Sequence, residues 1–498
     1  MNGFSSVYLH HYQTREQVLL KGVLWDFVGK GAHQIVSFVI SIILARILGP
    51  EAFGLLGMAM VVIGIAQVFG DFGFSSGVIQ AKEVTAVQYN TIFWINVIFG
   101  LVLSALTFFS AALVTWFYES EEVGNVFRSL SPIFLLGSFS VLPLAILKRQ
   151  VNFKSIAIIN FIAVIIAGAT GLTLAYSDYG VYALVAQSLI QYAILSIAAW
   201  FFVDWRPVLN YATHFDLKSI GDIWKFSSNL FYSSLLDAVV TRLDVLIIGK
   251  LFSAATIGFY TRAVSFYNLI VRYSSSSLAQ VFFPVISKIQ DDKEAVRQLT
   301  LKSVHVVSFA IFLLIGATYL VSDEVFLVLL SAEWLEASAY FKIILLSAYS
   351  RPLGATMVNV LIGLGNSKTH LKIEVVKKFL LFLAYLVGFQ FGLIGFLYSL
   401  IFSRAISTVI NVIFASRAMG MRFTVFIVAI LKYAILGAVT YFAVRLAIDS
   451  LGDLEGVIVQ LLLKGSLFVL VYFALNYVVK MPGLEVLLSL VKRLKNRV

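Results

Sequence analysis

Residues 91–116 read TIFWINVIFGLVLSALTFFSAALVTW, 26 positions without one charged side chain. A run of this length decides the fold class. About 20 apolar residues in helical form cross a hydrocarbon layer of about 30 Å. The other structure that pairs every backbone amide in lipid is a closed β-barrel, whose strands run about 10 residues and alternate apolar with polar. This run is twice that length and does not alternate, so it reads as a helix. The rest of the chain repeats the pattern. Of 498 residues, 60% are hydrophobic and 13% charged, with a mean hydropathy of +0.94, against roughly 45–50% and 25% in a soluble domain. Such a chain cannot bury itself in water, and disorder, a fibrous repeat and a disulfide scaffold are excluded too. It has no cysteine, which removes disulfides, thiolate metal sites and a cysteine nucleophile.

The expectation is an all-α polytopic membrane protein of about 14 transmembrane helices, at 24–45, 55–79, 91–116, 125–147, 156–176, 181–203, 226–249, 257–287, 303–320, 338–364, 371–389, 393–415, 425–448 and 457–479. The N-terminal MNGFSSVYLHHYQTREQ lacks the basic and apolar regions of a signal peptide. Lys and Arg outnumber Asp and Glu by 37 to 26, and in a membrane protein that excess reports topology before it reports nucleic-acid binding. With the N-terminus in the cytoplasm, 24 Lys and Arg fall in cytoplasmic segments and only Arg46 and Lys250 in outer loops. The positive-inside rule therefore places both termini inside.

Eleven basic residues remain within spans: Lys30, Arg128, Arg242, Arg262, Arg272, Lys342, Arg351, Arg404, Lys432, Arg445 and Lys464. The acids there are Asp26, Asp71, Asp237 and Asp244. A charge at mid-membrane costs at least ~2.5–3.5 kcal/mol on insertion scales, so such residues are expected to face a wet cavity or a partner. The basic excess makes that cavity cationic and phosphate its natural occupant. Lys30, Arg242, Arg262, Arg272, Arg351 and Arg404 are the candidate substrate contacts; Arg128, Arg262, Lys342 and Arg445 lie near span ends, where long side chains also snorkel. Lys432 and Lys464 suit helix-to-helix bonding. Asp26, Asp71, Asp237 and Asp244 are candidates for proton or sodium coupling. Polar stripes at helical spacing support a lining: Asp26, Lys30, His33 and Ser37; Gln67, Asp71 and Ser75; Asn229, Ser233, Asp237, Thr241 and Asp244; Arg262, Ser265, Arg272 and Ser276. Ser399, Ser403, Ser407 and Asn411 make a fifth stripe beside Arg404, of the kind that also glues helices together.

The chain repeats itself. ARILGPEAFGLLGMA (45–59) aligns without a gap on GKLFSAATIGFYTRA (249–263), pairing Arg46 with Lys250, Gly54 with Gly258 and Ala59 with Ala263. The offset of 204 residues equals six spans, which implies two bundles side by side with the path between them.

These segments, with DFGFSSGVIQ (71–80), ILKRQVNF (146–153), RLDVLIIGKLFSAATIGFYTRA (242–263) and EWLEASAYFKII (333–344), resemble the polysaccharide transport members of the MOP superfamily. The likeness is nearest to Wzx-type lipid-linked oligosaccharide flippases of the colanic acid and teichuronic acid exporter kind. The resemblance implies two six-helix lobes around a central cavity, two extra C-terminal helices, alternating access and a bacterial cytoplasmic (inner) membrane location. It also implies an undecaprenyl-diphosphate-linked oligosaccharide as cargo and polysaccharide polymerase machinery as a partner. The corresponding division is a cytoplasmic N-terminus (1–22), an N-terminal lobe (23–203), a cytoplasmic linker (204–225), a C-terminal lobe (226–416), two further helices (417–480) and a basic tail (481–498). No G-x-x-x-x-G-K-[ST] loop is present, and no other cofactor is implied. A membrane-embedded polymerase or ligase is the enzymatic alternative, but its large catalytic outer loop is missing and the six histidines are scattered. A multidrug exporter of the same superfamily is the transport alternative; it favours acidic sites for cationic drugs, opposite to the balance here. A purely structural scaffold gives no reason for the deep arginines.

Overall fold

The computed structural model describes residues 4–208, 215–451 and 455–495, with side chains described from 22 onward except 23, 229, 272–281, 490, 491 and 493–495. The chain is an all-α polytopic membrane protein. Among the described residues, nine stretches are long and apolar enough to cross a membrane. Two of them, Leu24–Gln80 and Ser367–Met419, are each two crossings joined at a break. Helices Gly221–Leu251 and Ala254–Lys288, and the pair Leu335–Leu345 and Ser350–Gly363, complete the fourteen expected from hydropathy.

The chain divides into two compact units, Met1–Gly258 and Phe259–Val498. The first begins with α1 (Phe4–Ala66), which is two helices meeting at Gly49 (φ 69°, ψ −179°), a conformation that glycine adopts without a Cβ penalty. Pro50, with no N–H to lose, opens the second half. The first half packs on α7 (Phe153–Tyr176) through Ile40, Leu44, Val164 and Ala175. Then come α2 (Phe74–Gln80), α3 (Ala86–Phe109), α4 (Ala111–Tyr118), α5 (Glu121–Leu130), α6 (Ile133–Arg149), α8 (Val181–Phe201) and α9 (Gly221–Leu251).

Two expected spans are interrupted. The stretch 55–79 leaves the α-helix at Ala66, turns through Phe72 (φ 48°) and Gly73 (φ 75°), and restarts as α2. The stretch 91–116 pauses at Ser110 between α3 and α4. Arg149 ties the restarted helix down by donating to the Val78, Ala81 (2.6 Å) and Lys82 (2.8 Å) carbonyls at the end of α2, where orphan carbonyls favour a cation. Helix α9 belongs to the first unit, packed on α1 and α2. The boundary between the two compact units falls after Gly258.

The second unit holds most of α10 (Ala254–Lys288), then α11 (Lys293–Leu320), α12 (Ser322–Leu329), α13 (Leu335–Leu345), α14 (Ser350–Gly363), α15 (Ser367–Gly388), α16 (Gly392–Met419), α17 (Phe423–Ser450), α18 (Val457–Val478) and α19 (Pro482–Lys495). Its core joins Val304, Val307, Leu353, Met357, Val412 and Phe426. Arg297 repeats the capping role of Arg149, donating to the Met419 (2.8 Å) and Gly420 (3.1 Å) carbonyls at the end of α16. The basic tail carries amphipathic α19; Met481 just before it and Leu484 within it enter a cluster with Phe309, Tyr433, Phe468 and Tyr472.

The internal repeat has a backbone signature. Between α6 and α7, Val151 has φ 58° and Asn152 N donates to Leu147 O; between α14 and α15, Gly365 has φ 80° and Asn366 N donates to Leu361 O. Both are left-handed helix ends followed by asparagine at the next helix start. The turns at 49–54 and 253–258 also exchange contacts. A Cβ on Gly54 would fall 1.7 Å from Ala254 O, and one on Gly258 would fall 1.9 Å from Pro50 O. Pro50 aligns with Ala254 and Gly54 with Gly258, so each turn makes on the other the contact it receives.

An even number of crossings returns the chain to its starting side. Reporter domains fused at the two ends are expected to report one side of the membrane, and a reporter inserted at Ser253 the opposite side; ends on different sides would break the fourteen-helix reading.

Candidate functional site

In the first unit the candidate side chains collect along α1, α2 and α9. Arg242 leaves α9, crosses to the second half of α1 and donates from Nη1 to the Met60 carbonyl at 3.3 Å. Its guanidinium lies over Gly64, where a Cβ would stand 2.0 Å from Nη1. One turn along, Gln67 Nε2 donates to the Tyr192 hydroxyl at 2.9 Å. Asp71 accepts from Ser75 N and Oγ, both at 2.9 Å, and so caps α2. Lys30 pairs with Asp26 at 2.6 Å on an exposed face of α1. Asp237 is exposed, and Asp244 accepts from Val245 N at 2.8 Å. Asn229 lies outside the described side chains.

At the Arg46 and Lys250 end of these helices, Lys250 Nζ meets Glu119 at 2.6 Å. That bond holds the exposed Glu119 carboxyl below the usual carboxylate range. Beside it, a Cβ on Gly249 would meet Tyr118 at 2.6 Å and Met58 at 3.3 Å.

In the second unit the cations divide. Arg262 is buried, its Cζ 5.4 Å from the centre of the Trp334 ring, a packing position. Arg404 donates to Ser347 Oγ at 2.7 Å and lies 5.0 Å over Tyr267, while its own carbonyl accepts from Ser350 and Thr408. Arg351 stands exposed in the first turn of α14 without a hydrogen bond or ion pair among the described residues. Arg272 lies on α10, outside the described side chains. Lys464 of α18 pairs with Glu324 of α12 at 2.5 Å, the helix-to-helix bond expected of it, and Lys342 pairs with Asp323 at 2.5 Å. The Ser399–Asn411 stripe glues helices: Ser399 Oγ donates to Ala384 O at 2.8 Å, and Asn411 Oδ1 accepts from Lys377 at 3.2 Å. Between α11, α16 and α17 lies an apolar cavity of about 560 Å³, edged by Phe312, Tyr349, Leu431, Tyr319 and Tyr441.

The Polysaccharide biosynthesis protein family matches residues 43–339, well over half of the chain. This chain belongs to that family. Among curated relatives, the lipopolysaccharide biosynthesis protein WzxC of Escherichia coli K12 is 24% identical over 79% of this chain and 80% of its own length. The succinoglycan biosynthesis transport protein ExoT of Rhizobium meliloti is 22% identical over 70% of each. Among solved structures, the lipid II flippase MurJ in an inward closed conformation superposes with a TM-score of 0.69 over 92% of this chain and 99% of MurJ, at 14% identity. The MATE multidrug transporter DinF-BH gives 0.53 over 82% and 97%, at 16% identity. These likenesses give the fold; the family gives the biosynthetic setting.

Sequence reading singles out Arg242 but not Gly64, Tyr192 or Glu119. Gly64 carries no signal of its own, since a glycine in a membrane helix usually marks close packing. The Lys464–Glu324 pair tests how this family member holds its buried charge. Glu324 is 7% exposed and its Oε2 has no hydrogen-bond partner among the described residues. Lys464→Met is expected to destabilise the protein by about 3–5 kcal/mol, read as a lowered melting midpoint in detergent. Adding Glu324→Gln should restore most of the loss; a double variant as unstable as the single would mean that the pair does not hold α18.

Proposed function

We propose that this protein is a flippase that moves an undecaprenyl-diphosphate-linked oligosaccharide from the cytoplasmic to the outer leaflet of the bacterial cytoplasmic membrane, by alternating access, for exopolysaccharide or O-antigen-type polymer synthesis. The observation that carries this reading is a polysaccharide-biosynthesis family chain folded like a flippase. Sugars and a diphosphate cannot cross hydrocarbon unaided, because each unpaired polar group costs several kcal/mol there. The protein supplies a wet, cationic path in place of water, and no bond in the cargo need be made or broken. Both termini lie in the cytoplasm, supported by the count of 24 Lys and Arg against 2. The cargo passes to polymerising enzymes on the outer side.

Arg242 and Arg351 are the leading diphosphate contacts, with Lys30, Arg272 and Arg404 beside them in role. What supports Arg242 and Arg351 is availability: neither has a carboxylate partner among the described residues. Arg262, packed on Trp334, is the weakest of the set. The apolar cavity of about 560 Å³, lined almost wholly by aliphatic and aromatic side chains, suits the polyprenyl chain. A multidrug reading draws on the DinF-BH likeness, but the basic excess within the spans suits an anion, not a cationic drug.

Arg242→Ala and Arg351→Ala, each inserted at normal level, are expected to cut polymer export by ~10-fold or more, the loss of about 1.4 kcal/mol of contact. Lipid-linked intermediates should accumulate in parallel, by mass spectrometry. Normal export by both variants would remove the diphosphate assignment. A proton or sodium gradient imposed on proteoliposomes is expected to accelerate flipping through Asp26, Asp71, Asp237 or Asp244; equal rates with and without each gradient would assign the drive to substrate supply and consumption.

A further inference from the structure

We infer that Arg242 is a latched cation, docked in a berth made by Gly64 and Met60 and released to a phosphate only when α9 parts from the second half of α1. The inference rests on Arg242 being a diphosphate contact and adds the device that controls it.

Three observations carry it. The first is the berth. A Cβ on residue 64 would lie 2.0 Å from Nη1, 2.1 Å from Cζ and 2.5 Å from Nη2 of Arg242. The guanidinium therefore occupies the space a side chain would fill, and only glycine leaves that space open.

The second is the weakness of the hold. The bond is one N–H to a neutral carbonyl at 3.3 Å. No carboxylate pairs with this arginine among the described residues. A guanidinium has five donors. A diphosphate offers ionised oxygens in bidentate geometry, and such charge-assisted bonds are about twice as strong as neutral ones. An arriving diphosphate out-competes the Met60 carbonyl.

The third is the seam around the berth. On one side of Gly64, Gly54 and Gly258 meet the carbonyls of Ala254 and Pro50, and Gly249 meets Met58 and Tyr118. On the other side, a Cβ on Gly73 would stand 2.7 Å from Ser227 O and one on Gly77 2.4 Å from Ser227 Oγ. Glycines thus bring α9 and the first turn of α10 close against α1 and α2 on both sides of the berth, and at the α2 side Trp224 and Phe231 of α9 also pack on Phe69, Phe72 and Phe74. The Lys250–Glu119 pair closes one end on the exposed surface. Parting this seam takes the berth away from the guanidinium while leaving the arginine on α9.

The test uses the full-length protein in detergent, with undecaprenyl diphosphate as probe and native mass spectrometry as readout. Gly64→Ala evicts the guanidinium and is expected to raise affinity by ~10-fold, the penalty removed when a competent state populated one part in ten becomes dominant. The gain should vanish in the Gly64→Ala/Arg242→Ala double variant. A folded Gly64→Ala with unchanged or weaker binding overturns the latch. If Arg242→Ala alone leaves affinity untouched, the diphosphate-contact reading falls and the latch with it. If Arg242→Ala weakens binding but Gly64→Ala does not strengthen it, only the latch falls. Should Gly64→Ala not fold, nitroxides on Glu51→Cys and Ser253→Cys, free of background in this cysteine-free chain, report the seam directly. Saturating undecaprenyl diphosphate should reduce their dipolar broadening; unchanged broadening overturns the inference.

Discussion

A cation in or beside a bilayer must be held by something, and here carboxylates, aromatic rings and main-chain carbonyls share that work. Lys464, Lys342, Lys377 and Lys30 each meet a carboxylate. Arg262, Arg404 and Arg128 lie over aromatic rings. Arg149, Arg297 and Arg242 bond main-chain carbonyls, Arg297 also meets Glu294, and Arg445 meets Asp449. The chemistry of the two groups shapes which hold suits each. An ammonium is a compact, strongly hydrated point charge, and losing its water demands a full counter-charge. A guanidinium is planar and weakly hydrated, stacks on rings and spreads its donors over neutral acceptors. The consequence is functional. A lysine neutralised by its carboxylate has little attraction left for an anion, whereas an arginine on a ring or a carbonyl keeps its charge.

Helical class, span number and the repeat were legible in the sequence, because each rests on patterns many residues long. A 26-residue run such as 91–116 admits no other membrane structure, and a pause at Ser110 does not alter that conclusion. Breaks inside runs were not legible. The turn at 67–73 depends on Asp71 capping α2 and on positive φ at Phe72 and Gly73. Helical spacing aligns Asp71 with Gln67 and Ser75 and so reads it as a lining carboxylate, but spacing cannot see that the helix has stopped. The tail 481–498 reads only as basic; its apolar positions become meaningful once Met481 and Leu484 have a cluster to enter.

Site residues were legible as a set and not as contacts. Eleven cations in greasy spans announce themselves, but which of them meets a carboxylate depends on partners far away in the chain. Lys464 lies 140 residues from Glu324, and Arg242 lies 182 from Met60. Nothing local distinguishes the two cations. The partner of Arg242 is moreover an absence, the missing side chain of Gly64, which no residue-type count reveals.

The repeat shows where symmetry ends. Backbone features recur in both halves: the reciprocal glycine turns at 54 and 258, and the left-handed helix ends at 151 and 365. Extending the register of 204 residues, Arg242, Arg262 and Arg272 fall opposite Phe38, Met58 and Val68. These three arginines thus have no basic counterpart in the first half, whereas Lys250 keeps its counterpart in Arg46, and Lys30 falls opposite Ser234. The two halves place different demands on their residues. Packing two similar bundles requires the same close backbone approaches in each, so the glycines recur. On the proposed function, a head group that has a diphosphate at one end and sugars at the other would require an uneven field, since a symmetric distribution of charge would not orient it. A duplicated scaffold carrying unduplicated charge meets both demands: the seam can close as a matched pair while the cation it closes over belongs to one side alone.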